Sequence, residues 1–385
     1  MKALIKSAAA IAMLAFTAPA FAGGVTVAEN GDSKLKMEGL LFLNTYSDKA
    51  DITTAGGTTS TKTVGLNVER AYVTLKYIFN SDWSMRVTTD MQHEANLGSK
   101  KQNIFLKYAY LEGKLAGDQA VLRIGQSHTP WIDHEESLWK HRYVENTMVD
   151  KFAFDDSSDL GLGLYGKVAD GLVNYWLTET NGSGYGNGAA TNGLDFNSRI
   201  GINPIEGLEV DLQFRDGYRG TKTYVANVTN SGIKSTMWQV MASYGQGDFF
   251  RVGANYLSNK DDNKTAANVF KSHGGNITSG FATIAAAGDQ VKSTAWTVWG
   301  WVNFPDTDFG AFGRYDRVEN KGTFGGVAAA SKEKIDHYVA GVEYHPIKPV
   351  TLALVMDNTK GTGMGGTATN TRKDTRYGLY SQVAF

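Results

Sequence analysis

Hydrophobic and polar residues alternate along most of the chain, in segments of about ten residues. The segment 208–215, LEVDLQFR, places its apolar side chains on one face and four polar or charged side chains on the other. Segments 83–90, 194–203 and 338–344 repeat this arrangement. Because successive side chains of a strand point to opposite faces, each segment predicts a strand with one apolar and one polar face. Strands of this length and pattern are typical of a transmembrane β-barrel.

Short and long connections alternate between the predicted strands. Seven are tight turns, at residues 80–82, 116–118, 169–171, 204–207, 246–248, 304–307 and 345–349. Eight are longer polar stretches, at residues 47–63, 92–101, 128–158, 181–193, 217–234, 258–291, 317–333 and 359–372. Fifteen connections join sixteen strands. The soluble alternative is a secreted β-sandwich, which lacks this regular alternation, or a solenoid, for which the sequence shows no repeat of fixed period. The sequence therefore predicts an all-β fold: a transmembrane antiparallel β-barrel of about 16 strands, with short periplasmic turns and long external loops.

Two predicted strands depart from a simple alternation. In the segment 293–304, Trp296 falls on one face while Trp299 and Trp301 fall on the other. The segment 68–79 changes phase near Arg70. A β-bulge, which inserts one extra residue into a strand, would explain either departure.

The two ends of the chain carry different signals. Residues 1–22 contain two lysines, then an apolar run, and then small residues of the kind found at a cleavage site. This order is typical of a secretory signal peptide. We therefore expect the barrel to comprise residues 23–385. The last nine residues alternate and end on Phe385, so they predict a closing strand that pairs with the first strand near residues 34–46.

Composition removes several other classes of protein. There is no cysteine, which excludes disulfides, thiolate metal sites and cysteine catalysis. The 38 Lys and Arg nearly balance the 39 Asp and Glu, whereas a nucleic-acid partner calls for a basic excess. No apolar stretch after residue 22 reaches the roughly 18 residues that a membrane-spanning helix needs.

The stretch from Val68 to Met148 resembles the phosphate-selective porin O and P family. The resemblance rests on VERAYVTLKYIFNSDWSMRVTTDM, then IFLKYAYLEGKL, VLRIGQSHTPW and YVENTM, in that order. It implies a sixteen-stranded barrel, a homotrimer in the lipid and lipopolysaccharide of the outer membrane, and a third external loop folded into the lumen. The C-terminal segment ending on Phe385 also resembles the signal that bacterial porins present to the barrel-assembly machinery.

The charge of the predicted third loop, residues 128–158, argues against selectivity for anions. It holds seven acidic residues against three Lys and Arg. If it lies in the lumen, Asp133, Glu135 and Glu136 form an acidic constriction that repels phosphate. The resemblance therefore does not fix the solute.

Basic residues on the polar strand faces are the predicted pore-lining wall: Arg86, Lys107, Arg123, Arg199, Arg215, Arg251 and Arg314. Opposite an acidic loop they would set up a transverse field that selects solutes. The alternative is that these side chains pair with the acids on the same faces and have no role beyond keeping the lumen hydrated.

Catalytic and metal-binding motifs are not found. The spacing of His128, His134 and His141 matches no compact metal motif, so we expect neither a metal nor a cofactor. No G-x-S-x-G or similar hydrolase signature occurs, so we expect no enzyme. The sequence predicts a porin, a passive channel for small hydrophilic solutes or ions, in the outer membrane of a Gram-negative bacterium. The alternative is a structural or adhesive barrel without an open channel.

Overall fold

The computed structural model describes residues 24–93, 102–182, 184–186, 193–218, 233–263, 288–324, 327–328, 332–363 and 367–385. The predicted signal peptide, residues 1–22, lies outside the described residues. Large parts of the predicted loops 92–101, 217–234 and 258–291 also lie outside them.

Within these residues the chain forms eighteen strands and two α-helices. The strands are β1 (Val25–Asn30), β2 (Ser33–Thr54), β3 (Gly57–Ile78), β4 (Trp83–His93), β5 (Gln102–Lys114), β6 (Val121–His128), β7 (Ser158–Val168), β8 (Val173–Thr180), β9 (Asp195–Ile205), β10 (Leu208–Tyr218), β11 (Ile233–Gln246), β12 (Phe250–Asn263), β13 (Gln290–Asn303), β14 (Phe309–Phe324), β15 (Val327–Ala328), β16 (Glu333–Ile347), β17 (Val350–Thr362) and β18 (Thr371–Ala384). The helices α1 (Ile132–Trp139) and α2 (Met148–Lys151) both lie between β6 and β7. In the described part of the chain, no helix has the length and apolarity to cross a membrane.

Sixteen of the strands close into one antiparallel barrel. The other two are additions to it, since β1 pairs with β2 and the two-residue β15 pairs with the end of β14. The barrel closes where β18 pairs with β2, from Thr371 opposite Thr53 to Ala384 opposite Leu40. The predicted fold class and the predicted closing strand are confirmed.

All seven predicted short turns lie where consecutive barrel strands connect, although those at 204–207, 246–248 and 345–349 begin within the preceding strand. The predicted loop at 47–63 is wrong, because β2 continues to Thr54 and β3 begins at Gly57. Residues 57–64 read GTTSTKTV, and their β-branched side chains favour a strand although the segment is polar. The predicted loops at 258–291, 317–333 and 359–372 likewise begin too early, since β12, β14 and β17 run several residues into them.

The outer face of the barrel is apolar, and the inner face is mostly polar. On β10, Leu212 and Phe214 are exposed on the outside while Asp211 and Gln213 are buried inside, as the alternation predicts. Outward aromatic rings cluster in pairs, as Trp296–Tyr315, Tyr315–Tyr338, Trp238–Tyr256 and Phe309–Tyr344. An apolar band with aromatic residues is the outer surface that a lipid bilayer requires of a barrel.

One of the two irregular strands contains a bulge. Phe42 pairs with Arg70 and the next residue, Leu43, pairs with Val68, so Glu69 is the extra residue that shifts the phase. No bulge explains the tryptophans of β13, because its pairing with β12 and β14 is continuous. Trp299 and Trp301 simply face the interior.

Candidate functional site

The segment between β6 and β7, residues 129–157, runs inside the barrel and is called the inner loop below. Its helix α1 starts after Trp131 and ends at Trp139. The capping residue Lys140 has a left-handed backbone, with φ 63°, and its amide donates to the carbonyl of Glu136. Asp133 and Glu135 lie in the first turn, where a negative charge stabilises the helix N-terminus.

Polar contacts fix α1 against strands on the far side of the barrel. The Nε2 atom of His134 lies 3.2 Å from Oδ2 of Asp211 on β10. On β12, the Nδ2 atom of Asn255 donates to Oε1 of Glu135 at 2.8 Å. The indole nitrogen of Trp301 on β13 donates to the carbonyl of Leu138 at 2.8 Å. The loop prediction for 128–158, that it folds into the lumen, therefore agrees with these contacts.

After α1 the inner loop reaches β16. The Tyr143 hydroxyl donates to Oε1 of Glu343 at 3.0 Å, and Nε2 of His141 contacts the same carboxylate. The ring of Tyr143 also packs 6.4 Å from that of Phe42 on β2. The loop thus follows the interior wall from β10 to β2.

An apolar core inside the lumen holds the loop in place. Trp139 is 1% exposed, and its ring centroid lies 6.1 Å from that of Trp299 and 5.9 Å from that of Phe312. Apolar loop residues that are at most 1% exposed also include Trp131, Ile132, Met148, Val149, Phe152 and Phe154. Burying a large apolar side chain contributes about 1.5–3 kcal/mol, so the packing of this loop is a strong local interaction.

The three predicted constriction acids lie together on α1, and each has a partner. Asp133 accepts from the Tyr108 hydroxyl at 3.3 Å and pairs with Nε2 of His128 at 2.7 Å. Glu136 pairs with Nε of Arg142 at 2.7 Å, within the loop itself.

Glu135 is the most buried of the three, at 1% exposed. It accepts hydrogen bonds from the indole of Trp131 and from Asn255. Burial raises the pKa of Glu135 to about 7, because removal from water penalises its charged form. Burial also raises the pKa of Glu136, against the opposing effect of the Arg142 charge.

Three of the predicted wall residues form one basic and aromatic stretch on β4, β5 and β6. Lys107 donates to the Tyr72 hydroxyl at 3.1 Å. The guanidinium of Arg86 lies 5.0 Å from the centre of the Tyr108 ring. Arg123 pairs with Glu112 at 2.7 Å. This stretch faces the start of the inner loop, since Tyr108 also contacts Asp133.

The other four predicted wall residues lie elsewhere on the wall. Arg199 and Arg314 pair with acids of the wall, namely Asp211 at 2.5 Å and Asp316 at 3.0 Å. Arg215 pairs with Asp155 of the inner loop at 3.1 Å. Arg251 donates to Ser243 on the neighbouring strand at 2.9 Å. The interpretation in which charges pair with one another therefore describes Arg123, Arg199, Arg215 and Arg314.

The residues that anchor the inner loop could not be recognised from the sequence pattern. Asn255 and Glu343 occupy ordinary inward positions on their strands, and nothing local marks them as loop contacts. Trp299 and Trp301 did carry a signal: large apolar residues on the polar face of a strand indicate something packed against it from inside.

Comparison with solved structures gives a consistent picture of the fold. The structure matches an anion-selective porin from Comamonas acidovorans with a TM-score of 0.62, at 11% identity, over 92% of this chain and 100% of that one. It matches the outer-membrane channel DcaP of Acinetobacter baumannii with a TM-score of 0.61, at 12% identity, over 94% and 100% of the two chains. It matches OmpT, an outer-membrane protein of Vibrio cholerae, with a TM-score of 0.59, at 12% identity, over 93% and 99%.

The fold is that of a Gram-negative outer-membrane porin. No family model matches the chain, and no curated protein matches it by sequence. The porin-type barrel is thus established by structure, while the identities of 11–12% are too low to carry a solute or an activity.

Proposed function

We propose that the protein is an outer-membrane porin, a passive channel for small hydrophilic solutes or ions. The observation that supports this proposal is the inner loop, whose side chains contact inward residues of a closed barrel. A barrel that only spans the membrane has no need of a loop bonded to the inner faces of β10, β12, β13 and β16.

The remaining parts of the proposal follow from the porin-type fold and from the sequence. Residues 1–22 act as a signal peptide, and Phe385 is read by the barrel-assembly machinery. The mature chain forms a homotrimer in the outer membrane, in contact with lipopolysaccharide, and carries out no catalysis. The resemblance of residues 68–148 to phosphate-selective porins supports a channel role but not phosphate as the solute.

The solute is proposed to pass between the inner loop and the basic stretch of Arg86, Lys107 and Arg123. The wall there offers cations and tyrosine rings, and the loop offers Asp133. Such groups stand in for part of an ion's hydration shell in a narrow channel.

A second candidate is a barrel without an open channel, used as a structural or adhesive element. The observation in its favour is the burial at the narrow section. Lys107 is 6% exposed, Glu136 is 4% exposed and Arg142 is 5% exposed, so little water reaches this level of the lumen.

Conductance in planar lipid bilayers distinguishes the two candidates. The purified protein, added at low concentration, is expected to produce discrete and uniform current steps. Heat-modifiable protein that inserts, as shown by protease protection in liposomes, but gives no steps would favour the barrel without an open channel.

A further inference from the structure

We propose that His134, Glu209 and Asp211 form a binding site for a divalent transition-metal ion of the zinc class. The site joins the inner loop to strand β10. The Nε2 atom of His134 lies 3.2 Å from Oδ2 of Asp211 and 3.4 Å from Oε1 of Glu209. One ligand atom from each residue lies within 4.8 Å of the other two.

The two distances from His134 match the ligand spacing around a tetrahedral ion. Bonds of about 2.0–2.2 Å from zinc to nitrogen or oxygen place neighbouring ligand atoms about 3.3–3.6 Å apart. An ion between the three side chains therefore needs only small rotations of the two carboxylates. Glu209 and Asp211 are two residues apart on one strand and so face the same side.

Hydrogen bonds from Arg199 hold the proposed ligands in this orientation. The Oδ1 atom of Asp211 pairs with Nη1 of Arg199 at 2.5 Å, so its Oδ2 atom points to His134. Nε of the same Arg199 donates to the carbonyl of Pro130, just before α1, at 2.9 Å. Hydrogen-bonded partners of this kind fix the orientation of metal ligands.

The chemistry of the donors selects the class of ion. Imidazole nitrogen favours zinc, copper or nickel over magnesium and calcium, which prefer oxygen ligands only. Two carboxylates neutralise the ion, and a water molecule completes four-coordination. The side chain of Glu209 is 14% exposed and lies one residue after the start of β10, so an ion can reach the site from the short-turn rim.

A second cluster of the same composition provides an internal control. Glu145, His337 and Asp357 also bring their ligand atoms within 4.8 Å of one another. There, however, the ammonium group of Lys151 pairs with Glu145. The other ring nitrogen of His337 lies 2.7 Å from Asp316. Lys151 pairs with the same oxygen of Glu145 that faces His337, whereas Arg199 pairs with the oxygen of Asp211 that faces away from His134. We therefore expect no metal at this second cluster.

The test is a zinc titration of the full chain, folded in detergent and stripped of metal with a chelator. Competition with a chromophoric chelator measures the affinity and the number of ions bound. We expect one zinc per chain and a loss of affinity of about tenfold or more in His134→Gln and Glu209→Gln. His337→Gln is expected to bind zinc as the wild type does.

Each contrary result overturns the proposal. Wild-type protein without saturable binding contradicts it, and so do His134→Gln and Glu209→Gln variants that bind as tightly as the wild type. A His337→Gln variant that loses affinity while the other two keep it would move the site to the second cluster. Glu209→Gln changes a partly exposed side chain at the strand end, so it remains informative if His134→Gln fails to fold.

Discussion

At the scale of single residues, the inward tryptophans explain how a polar lumen holds a loop. The inner faces of most strands carry polar side chains, but β13 and β14 present Trp299, Trp301 and Phe312 to the interior. The rings of Trp299 and Phe312 pack against Trp139 at the end of α1, and Trp301 donates to the carbonyl of the preceding residue, Leu138. The interior therefore contains an apolar core of its own, and the position of the loop depends on packing as well as on charge.

Trp139→Ala is expected to loosen the inner loop. Removing a buried tryptophan leaves a cavity and costs about 3–5 kcal/mol in a packed core. The barrel hydrogen bonds are untouched, so the variant should remain heat-modifiable, while its single-channel current becomes larger and noisier. Trp296→Ala is the matched control, because Trp296 lies on the outer face at 38% exposed. Currents of Trp139→Ala that match the wild type would show that packing does not hold the loop.

Phe385 combines two roles that one deletion can separate. Its backbone exchanges two hydrogen bonds with Gly39, at 3.0 and 3.1 Å, and its ring covers that glycine so closely that a Cβ there would lie 2.0 Å from it. The side chain is nevertheless 51% exposed, so one residue adds little burial to a barrel already closed by β2 and β18.

Deleting Phe385 should therefore impair assembly in cells more than it changes the folded barrel. We expect surface levels to fall severalfold, while protein refolded in detergent shows a melting temperature close to that of the wild type. Quantitative blotting of outer membranes and thermal unfolding measure the two effects. Equal surface levels would count against a recognition role for this residue.

At the scale of elements, strand existence could be predicted from the sequence far better than strand ends. Alternation predicted the strands and the seven short turns, because a membrane barrel imposes opposite chemistry on its two faces. Ends toward the external loops were misplaced because strands such as β2 and β3 continue beyond the apolar band. There both faces meet water, and a polar residue such as Thr58 or Lys62 gives no sign of its pairing.

The tip of the long hairpin formed by β2 and β3 is expected to be dispensable for folding and conductance. Asp51 pairs with Ser60, so replacing residues 52–59 by Asn-Gly leaves that pair beside a two-residue turn. The closing pairs near Leu40 and Ala384 are unaffected. The variant should keep its heat-modifiable mobility on gels and its single-channel conductance. Loss of the folded band would show that the hairpin takes part in closing the barrel.

At the scale of the whole molecule, contacts between residues far apart in sequence form the candidate site. The inner loop meets Asp211, Asn255 and Glu343, which lie 77, 120 and 200 residues from their partners. Only closure of the barrel brings these positions together. The acidic loop and the basic wall could be predicted from the sequence, but their pairing, as in Glu136–Arg142 and Asp133–His128, could not.

This pairing changes what neutralising the loop should do. Loss of the Glu136 charge leaves the Arg142 guanidinium without its carboxylate, and loss of the Asp133 charge removes the carboxylate that contacts His128. Charges in a narrow, partly dehydrated section are screened less than exposed ones. The variant Asp133→Asn, Glu135→Gln, Glu136→Gln therefore gains net positive charge where solutes pass.

The reversal potential across a salt gradient in planar bilayers tests most directly whether the inner loop is the selective constriction of an open channel. We expect the triple variant to shift toward anions relative to the wild type, with current steps still discrete. An unchanged ratio of cation to anion permeability in a conducting, folded triple variant would contradict the account, and selectivity would then have to come from the arginines of the wall.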